Sequence, residues 1–246
     1  MANFELLSYG SADQLATAAA CAWLAEIEAA NRAGKPYCVA LSGGRIAQKF
    51  FAATVDQAVA REVSFARVHF YWADERCVPP TNPDSNYKVA NELLFAPLNI
   101  LEAQIHRLRG EIPSAEAVEI AEMELRKFAM PDKNNSPVLD LIFLGVGEDG
   151  HVASLFPNST EEKQDNSVSF LAVNDSPKPP PSRISMTYAT LKTAKNVWIL
   201  ASGAGKEKIL RASLASGGQT PLTRVVESRS GCPGTKIFSD LDVFNL

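Results

Sequence analysis

Short, nearly continuous apolar runs, each ending in a knot of glycines or charges, constrain this chain more than any other feature of its sequence. The run at 37–41 leads into Ser42-Gly43-Gly44, the run at 67–72 into Asp74-Glu75-Arg76, and the run at 138–144 into a glycine-rich stretch that ends at His151. A strand with one wet face alternates apolar and polar residues. A run without alternation is buried on both faces, which calls for a largely parallel sheet covered by helices. Helical patterns fill the intervals at 11–33 (Ser11 as N-cap, Gly34-Lys35-Pro36 as stop), 46–59, 85–94, 114–129 and 205–215. Further strands are expected at 168–173, 197–201 and 236–238, and a polar turn at 132–137. The expectation is an α/β fold in three layers, with helices on both faces of a mostly parallel sheet. No repeat, long linker or low-complexity segment divides the chain, so one domain over 1–246 is the simplest count.

Bulk properties narrow the function. The chain has 246 residues, 46% hydrophobic and 21% charged, an ordinary globular composition. Its net charge of −4 supplies no global field toward nucleic acid or an acidic membrane, so an anionic ligand needs a local cluster of cations and N–H groups. Cys21, Cys38, Cys77 and Cys232 lie far apart, without metal-ligand spacing, and read as free thiols in a reducing cytoplasm. Glu5 and Asp13 stand where a signal peptide would be positive, and the apolar residues that follow read as a helix face. No apolar run is long enough to span a bilayer.

In open α/β sheets, ligands sit beyond the carboxyl ends of the strands. Each polar cluster falls there, which argues for one shared site. Ser42-Gly43-Gly44 opens a helix and suits phosphate, because glycine lets backbone N–H groups approach and the helix end is positive; a plain tight turn needs the same glycines. Asp74-Glu75-Arg76 reads either as a solvated loop or as a cleft cluster in which Arg76 meets an oxygen and Asp74 orients a group. Gly145 to Gly150 spells a dinucleotide fingerprint, yet Glu148 and Asp149 would oppose a pyrophosphate and Pro157 leaves little room for the required helix. His151, just past this loop, is the candidate general base. His69, within a strand, and His106 read as structural. Ser176-Pro177-Lys178-Pro179-Pro180-Pro181-Ser182-Arg183 reads as a docking motif or, better, a rigid loop presenting Lys178 and Arg183. In Gly203-Ala204-Gly205-Lys206, Lys206 is a second phosphate cation or an exposed lysine.

Four strings together closely resemble the glucosamine-6-phosphate isomerase/6-phosphogluconolactonase family: LSGG at 41–44, YWADERCVPPTNPDSNY at 71–87, LDLIFLGVGEDGHVASLFP at 139–157 and SPKPPPSRISMT at 176–187. The resemblance continues through GAGK at 203–206 and weakens before 37 and after about 215. It implies a modified Rossmann-like sheet without a nucleotide, and hydrolysis of 6-phospho-D-glucono-1,5-lactone in the pentose phosphate pathway. It also implies His151 as catalytic base, Asp74 and Arg76 as cleft residues, and Ser42, Gly43, Gly44, Arg183, Lys206 and, more weakly, Lys178 as the phosphate cradle. One position departs: the family loop commonly continues with Ser or Thr and then Pro, whereas this chain has Arg45-Ile46-Ala47. Arg45 either supplies the missing contact as a cation or points to solvent.

The expected chemistry is metal-free and cofactor-free attack of water on the lactone, by a monomer or weak homo-oligomer whose partner is the small sugar-phosphate substrate. A glucosamine-6-phosphate deaminase on the same fold is the nearest rival. The resemblance disfavours it, since such enzymes carry DEY in place of Asp74-Glu75-Arg76 and a GHxxFNEP-type string in place of the stretch from Gly150. A non-catalytic sugar-phosphate sensor and an NAD-dependent dehydrogenase are further alternatives.

Overall fold

The computed structural model describes residues 4–159, 168–232 and 234–242. A short strand β1 (Glu5–Ser8) precedes α1 (Ala12–Arg32), which Ser11 caps by accepting the Gln14 N–H. β2 (Tyr37–Leu41), buried throughout, feeds α2 (Arg45–Ala60). β3 (Val68–Trp72) runs almost directly into β4 (Asp74–Arg76), and α3 (Asn86–Ala90) is extended by one π-helical turn, Asn91–Phe95. Next come α4 (Ser114–Phe128), the small hairpin β5 (Met130–Pro131) and β6 (Pro137–Val138), and β7 (Leu141–Gly145). The chain continues as β8 (Phe170–Val173), β9 (Arg183–Met186), α5 (Tyr188–Thr193) and β10 (Asn196–Ala201). It then forms α6 (Glu207–Leu214), α7 (Pro221–Ser228) and β11 (Thr235–Ser239).

Six strands make one parallel sheet in the order β1-β11-β10-β7-β2-β3. Neighbouring residues of β3 show that both faces are covered, since they point to opposite sides. Phe70 meets Trp23 of α1 edge-on, and Trp23 also packs against Phe50 of α2 and Phe143 of β7. His69, on the other side, stacks on Phe128 of α4 at 3.9 Å between ring centroids and contacts His106 at 3.0 Å. The sequence placed both histidines in structural roles, and these contacts lie in packing against α4.

β2 leads through α2 to β3 on one side, whereas β7 leads to β10 on the other. The order therefore reverses between β2 and β7, the position where such sheets hold ligands. Cα pairing between these two strands is confined to Val39–Leu141 and Ala40–Ile142. Beyond it the Ser42 hydroxyl donates to Phe143 O at 2.8 Å, and the crevice opens.

Two expectations need correction. Asp74-Glu75-Arg76 is not a solvated loop: it is β4, the edge of a three-stranded antiparallel sheet β4-β9-β8, with Asp74 and Glu75 buried. Its charges are tolerated because turns and neighbouring strands supply their partners. The run at 138–144 divides, its first residue joining the hairpin with β5 and the rest forming β7, with Asp140 between them accepting Cys38 N–H and Lys195 Nζ. Helix and strand limits elsewhere differ from the sequence expectation by one or two residues.

Candidate active site

A cavity of about 330 Å³ lies at this crevice, and all ten site residues expected from sequence line it: Ser42, Gly43, Gly44 and Arg45; Asp74 and Arg76; His151; Lys178, Arg183 and Lys206. They come from the ends of β2, β3 and β7, from the proline-rich loop and from the turn after β10.

The β2 turn is built for close approach. Gly44 has φ +98° and sits at the start of α2 with no side-chain cap, which leaves the first N–H groups of a 16-residue helix facing the cleft. Such an end binds anions through its donors and its dipole. Gly43 has no room for a side chain, because a Cβ would overlap the Asn86 carboxamide. The Ser42 hydroxyl proton is directed to Phe143 O, so Ser42 offers an anion its backbone rather than its O–H. Arg45 is exposed at the first turn of α2, with one guanidinium nitrogen 3.6 Å from where a Cβ would stand on Gly203. Lys206 is half-buried; burial and the nearby Arg45 charge lower its pKa. Two cations gathered at an uncapped helix end concentrate positive charge on a chain of net negative charge.

His151 faces the opposite side of the cleft. Its Nδ1 lies 2.5 Å from Asp149 Oδ1, and its ring packs on Phe156 at 4.6 Å between centroids. Burial works to raise the Asp149 carboxyl, but the hydrogen bond and charge of His151, with Lys178 nearby, hold it well below the usual range. The pair orients the imidazole, with Nδ1 toward the carboxylate and Nε2 left for the cleft. Gly147 makes this possible, since a Cβ there would overlap the imidazole. Gly150 at φ +80° packs against Thr220, where a Cβ would come within 2.7 Å of the threonine Cβ. The GxGxxG string is therefore shaped around a histidine. Among the described residues no helix follows before α5, so the loop lacks the helix N-terminus a dinucleotide needs.

The charged strand β4 organises the floor. Glu75 accepts from Arg76 N, Asn86 N and Tyr87 N, each at 2.8 Å, and from Ser85 Oγ at 3.0 Å. Burial raises its pKa while those N–H groups oppose the rise. Asp74 accepts the Ser154 hydroxyl at 2.7 Å. Arg76 donates to Asp84 O at 2.7 Å, and its Nε is buried without a partner. Arg183 differs from the exposed clamp that its sequence context suggests. Only 4% exposed, it donates to the carbonyls of Lys178, Pro179 and Pro180 and lies 3.9 Å from Asp74. Much of its donor capacity is spent on the loop that carries Lys178. Among the described residues no group of three or more His, Cys, Asp or Glu side chains is placed to hold a metal ion.

Comparison with known proteins now bears on this geometry. The family described as glucosamine-6-phosphate isomerases/6-phosphogluconolactonase matches residues 10–233. The chain belongs to this family. A probable 6-phosphogluconolactonase 1 of Arabidopsis thaliana is 36% identical over 200 residues, 78% of this chain and 74% of that one. A 6-phosphogluconolactonase of Streptomyces coelicolor is 30% identical over 221 residues, covering 87% and 84%. The solved 6-phosphogluconolactonase of Trypanosoma brucei superposes with a TM-score of 0.82 at 27% identity, covering 97% of each chain.

Sequence reasoning missed Asp149 as the partner of His151, Asn86 as the group filling the space over Gly43, and Glu75 as the anchor of the 85–87 turn. The signal for Asp149 was present, since an acid two residues before a histidine in a tight loop can reach its Nδ1. Asn86 and Glu75 gave none, because their roles exist only across the fold.

Proposed function

We propose that the chain hydrolyses 6-phospho-D-glucono-1,5-lactone to 6-phospho-D-gluconate, as one α/β domain acting in the cytoplasm as a monomer or weak homo-oligomer. One observation carries the reading: an imidazole held by a carboxylate, its Nε2 without a hydrogen bond among the described residues, shares a single small cavity with an uncapped helix end flanked by Arg45 and Lys206. That combination fits a molecule with a phosphate at one end and an electrophilic carbon at the other. The volume is at the low end for ligand sites and suits one sugar phosphate better than a dinucleotide. Four free cysteines fit a reducing compartment, and no described helix is long and apolar enough to cross a membrane.

In this mechanism the backbone N–H groups at 43–46 take the phosphate with Arg45 and Lys206, while Arg183 supports the floor beneath it. His151 Nε2 takes a proton from water as the water oxygen bonds to C1. The developing oxyanion meets Arg76 or backbone N–H groups of the 145–150 loop. As the C1–ring oxygen bond breaks, the imidazolium returns its proton to the leaving oxygen, and Asp149 stabilises the charged ring in between.

The test is acid release from freshly prepared lactone. General base action contributes roughly 10²–10⁴-fold, so His151→Ala should lose that much while keeping its fold. Wild-type turnover by the variant removes the mechanism. Ammonia release from glucosamine 6-phosphate would assign the deaminase reaction instead, and tight 6-phosphogluconate binding without acceleration would leave a sensor.

A further inference from the structure

Lys178 was expected at the phosphate end of the site, yet its ammonium lies behind the catalytic imidazole. Lys178 Nζ is 3.5 Å from His151 Nδ1 and 3.6 Å from Asp149 Oδ1. Nδ1 is the nitrogen turned toward Asp149, on the far side of the ring from Nε2. With Nδ1–H directed at Asp149, the contact of the ammonium with Nδ1 is not a hydrogen bond. What remains is charge.

The surrounding loop holds this lysine firmly. Lys178 N–H donates to Ser176 Oγ at 3.2 Å, and Lys178 O accepts both Ser176 Oγ at 2.8 Å and Arg183 Nη2 at 3.0 Å. A lysine needed only as a mobile surface cation does not require three hydrogen bonds to its own backbone, one of them from a buried arginine. Among the described residues, three side chains contact the imidazole. Asp149 comes from its own loop, Lys178 from the proline-rich loop, and Phe156 covers one side with the Arg183 guanidinium 5.6 Å from that ring's centroid. One carboxylate thus serves two cations when the histidine is protonated and one when it is neutral.

We infer that Lys178 is a positioning residue for the base: its ammonium shares the Asp149 carboxylate with His151 and so disfavours the imidazolium relative to the neutral ring. The inference rests on the lactone-hydrolysis reading for its purpose, but its electrostatic content can be measured without turnover. The like charge of the ammonium at this distance opposes a charged ring, and the Asp149 carboxylate favours one.

The experiment compares Lys178→Met and Lys178→Arg with the wild type in two measurements. The first is the pH dependence of kcat/KM for the phosphorylated lactone. The second is an NMR titration of the His151 ring in substrate-free protein. For Lys178→Met, both the acid limb and the ring titration should move upward by about one pH unit, a tenfold rate loss on the limb, with KM little changed above it. Lys178→Arg should restore both. A raised KM at every pH with an unmoved ring titration would make Lys178 a phosphate anchor and overturn the inference. A moved titration in a protein whose wild type does not accelerate lactone opening would keep the electrostatic coupling and instead reject the lactonase reading.

Discussion

Replacing Gly147 by alanine tests the site where the loop backbone presses on the imidazole. Gly147 has no positive φ, so the backbone accepts alanine; the difficulty is space. The new methyl would overlap the His151 ring at Nδ1 and Cε1 and stand 2.6 Å from Asp149 Oδ1. An ordinary contact is about 3.5 Å, so the imidazole must retreat by roughly 1.5 Å and its short bond to Asp149 must break or lengthen. The ring lies on a cleft wall with its side chain 17% exposed, so it can swing into the cavity and the fold should lose only about 1 kcal/mol. Catalysis should lose far more. A misplacement of 1 Å costs on the order of 10²-fold, and kcat should fall by at least that factor while KM changes little, because the phosphate site is untouched. Titrating acid release from fresh 6-phosphogluconolactone, corrected for spontaneous opening, gives both constants; thermal melting gives the stability. A variant with unaltered kcat would show that the His151–Asp149 geometry does not govern the rate. A variant that melts far below the wild type would show that the glycine serves folding instead.

Further outcomes separate the recognition of phosphate from the stability of the scaffold. Arg45→Ser, which removes this chain's unusual cation, should raise KM for the phosphorylated lactone roughly two- to fivefold at moderate salt and leave KM for unphosphorylated gluconolactone unchanged. Equal effects on the two substrates would point Arg45 to solvent. Arg229 is fully buried and donates to Thr235 Oγ1 and to the carbonyls of Leu191, Lys192, Ala194 and Lys195, at the end of the sheet opposite the cleft. Arg229→Met strands four carbonyls and the Thr235 hydroxyl and should cost about 3–5 kcal/mol, lowering the melting temperature by roughly 10 °C without changing kcat of the folded fraction. A melting temperature within 2–3 °C of wild type would show those carbonyls to be served by water.

The parallel sheet was readable because a strand buried on both faces must be apolar throughout, as β2, β7 and, past Asn196, β10 are. The site was readable for a related reason. A sheet with helices on both faces leaves ligands only the strand ends, where glycines and charges interrupt otherwise apolar runs. The small antiparallel sheet was invisible. β4 is three charged residues, and β9, Arg-Ile-Ser-Met, alternates polar and apolar over only four residues and opens on an arginine buried among carbonyls, too short a pattern to mark a strand. β1, α5 and α7 were missed because short elements rely on neighbours far along the chain rather than on local pattern.

Residue types and their spacing determined, without coordinates, that this chain builds a covered parallel sheet and that glycine-rich turns and a histidine lie beyond its strands; the resemblance added that the turn after β2 departs from its family's pattern. Only the tertiary structure decided what each group faces. It gave the Ser42 proton to Phe143, buried Arg183 under the loop it was expected to project from, and set Lys178 behind the imidazole instead of beside the phosphate turn. Spacing along a chain fixes which residues share an element, but charge and hydrogen bonding act through distances of a few ångströms, and those are set by how separate elements pack.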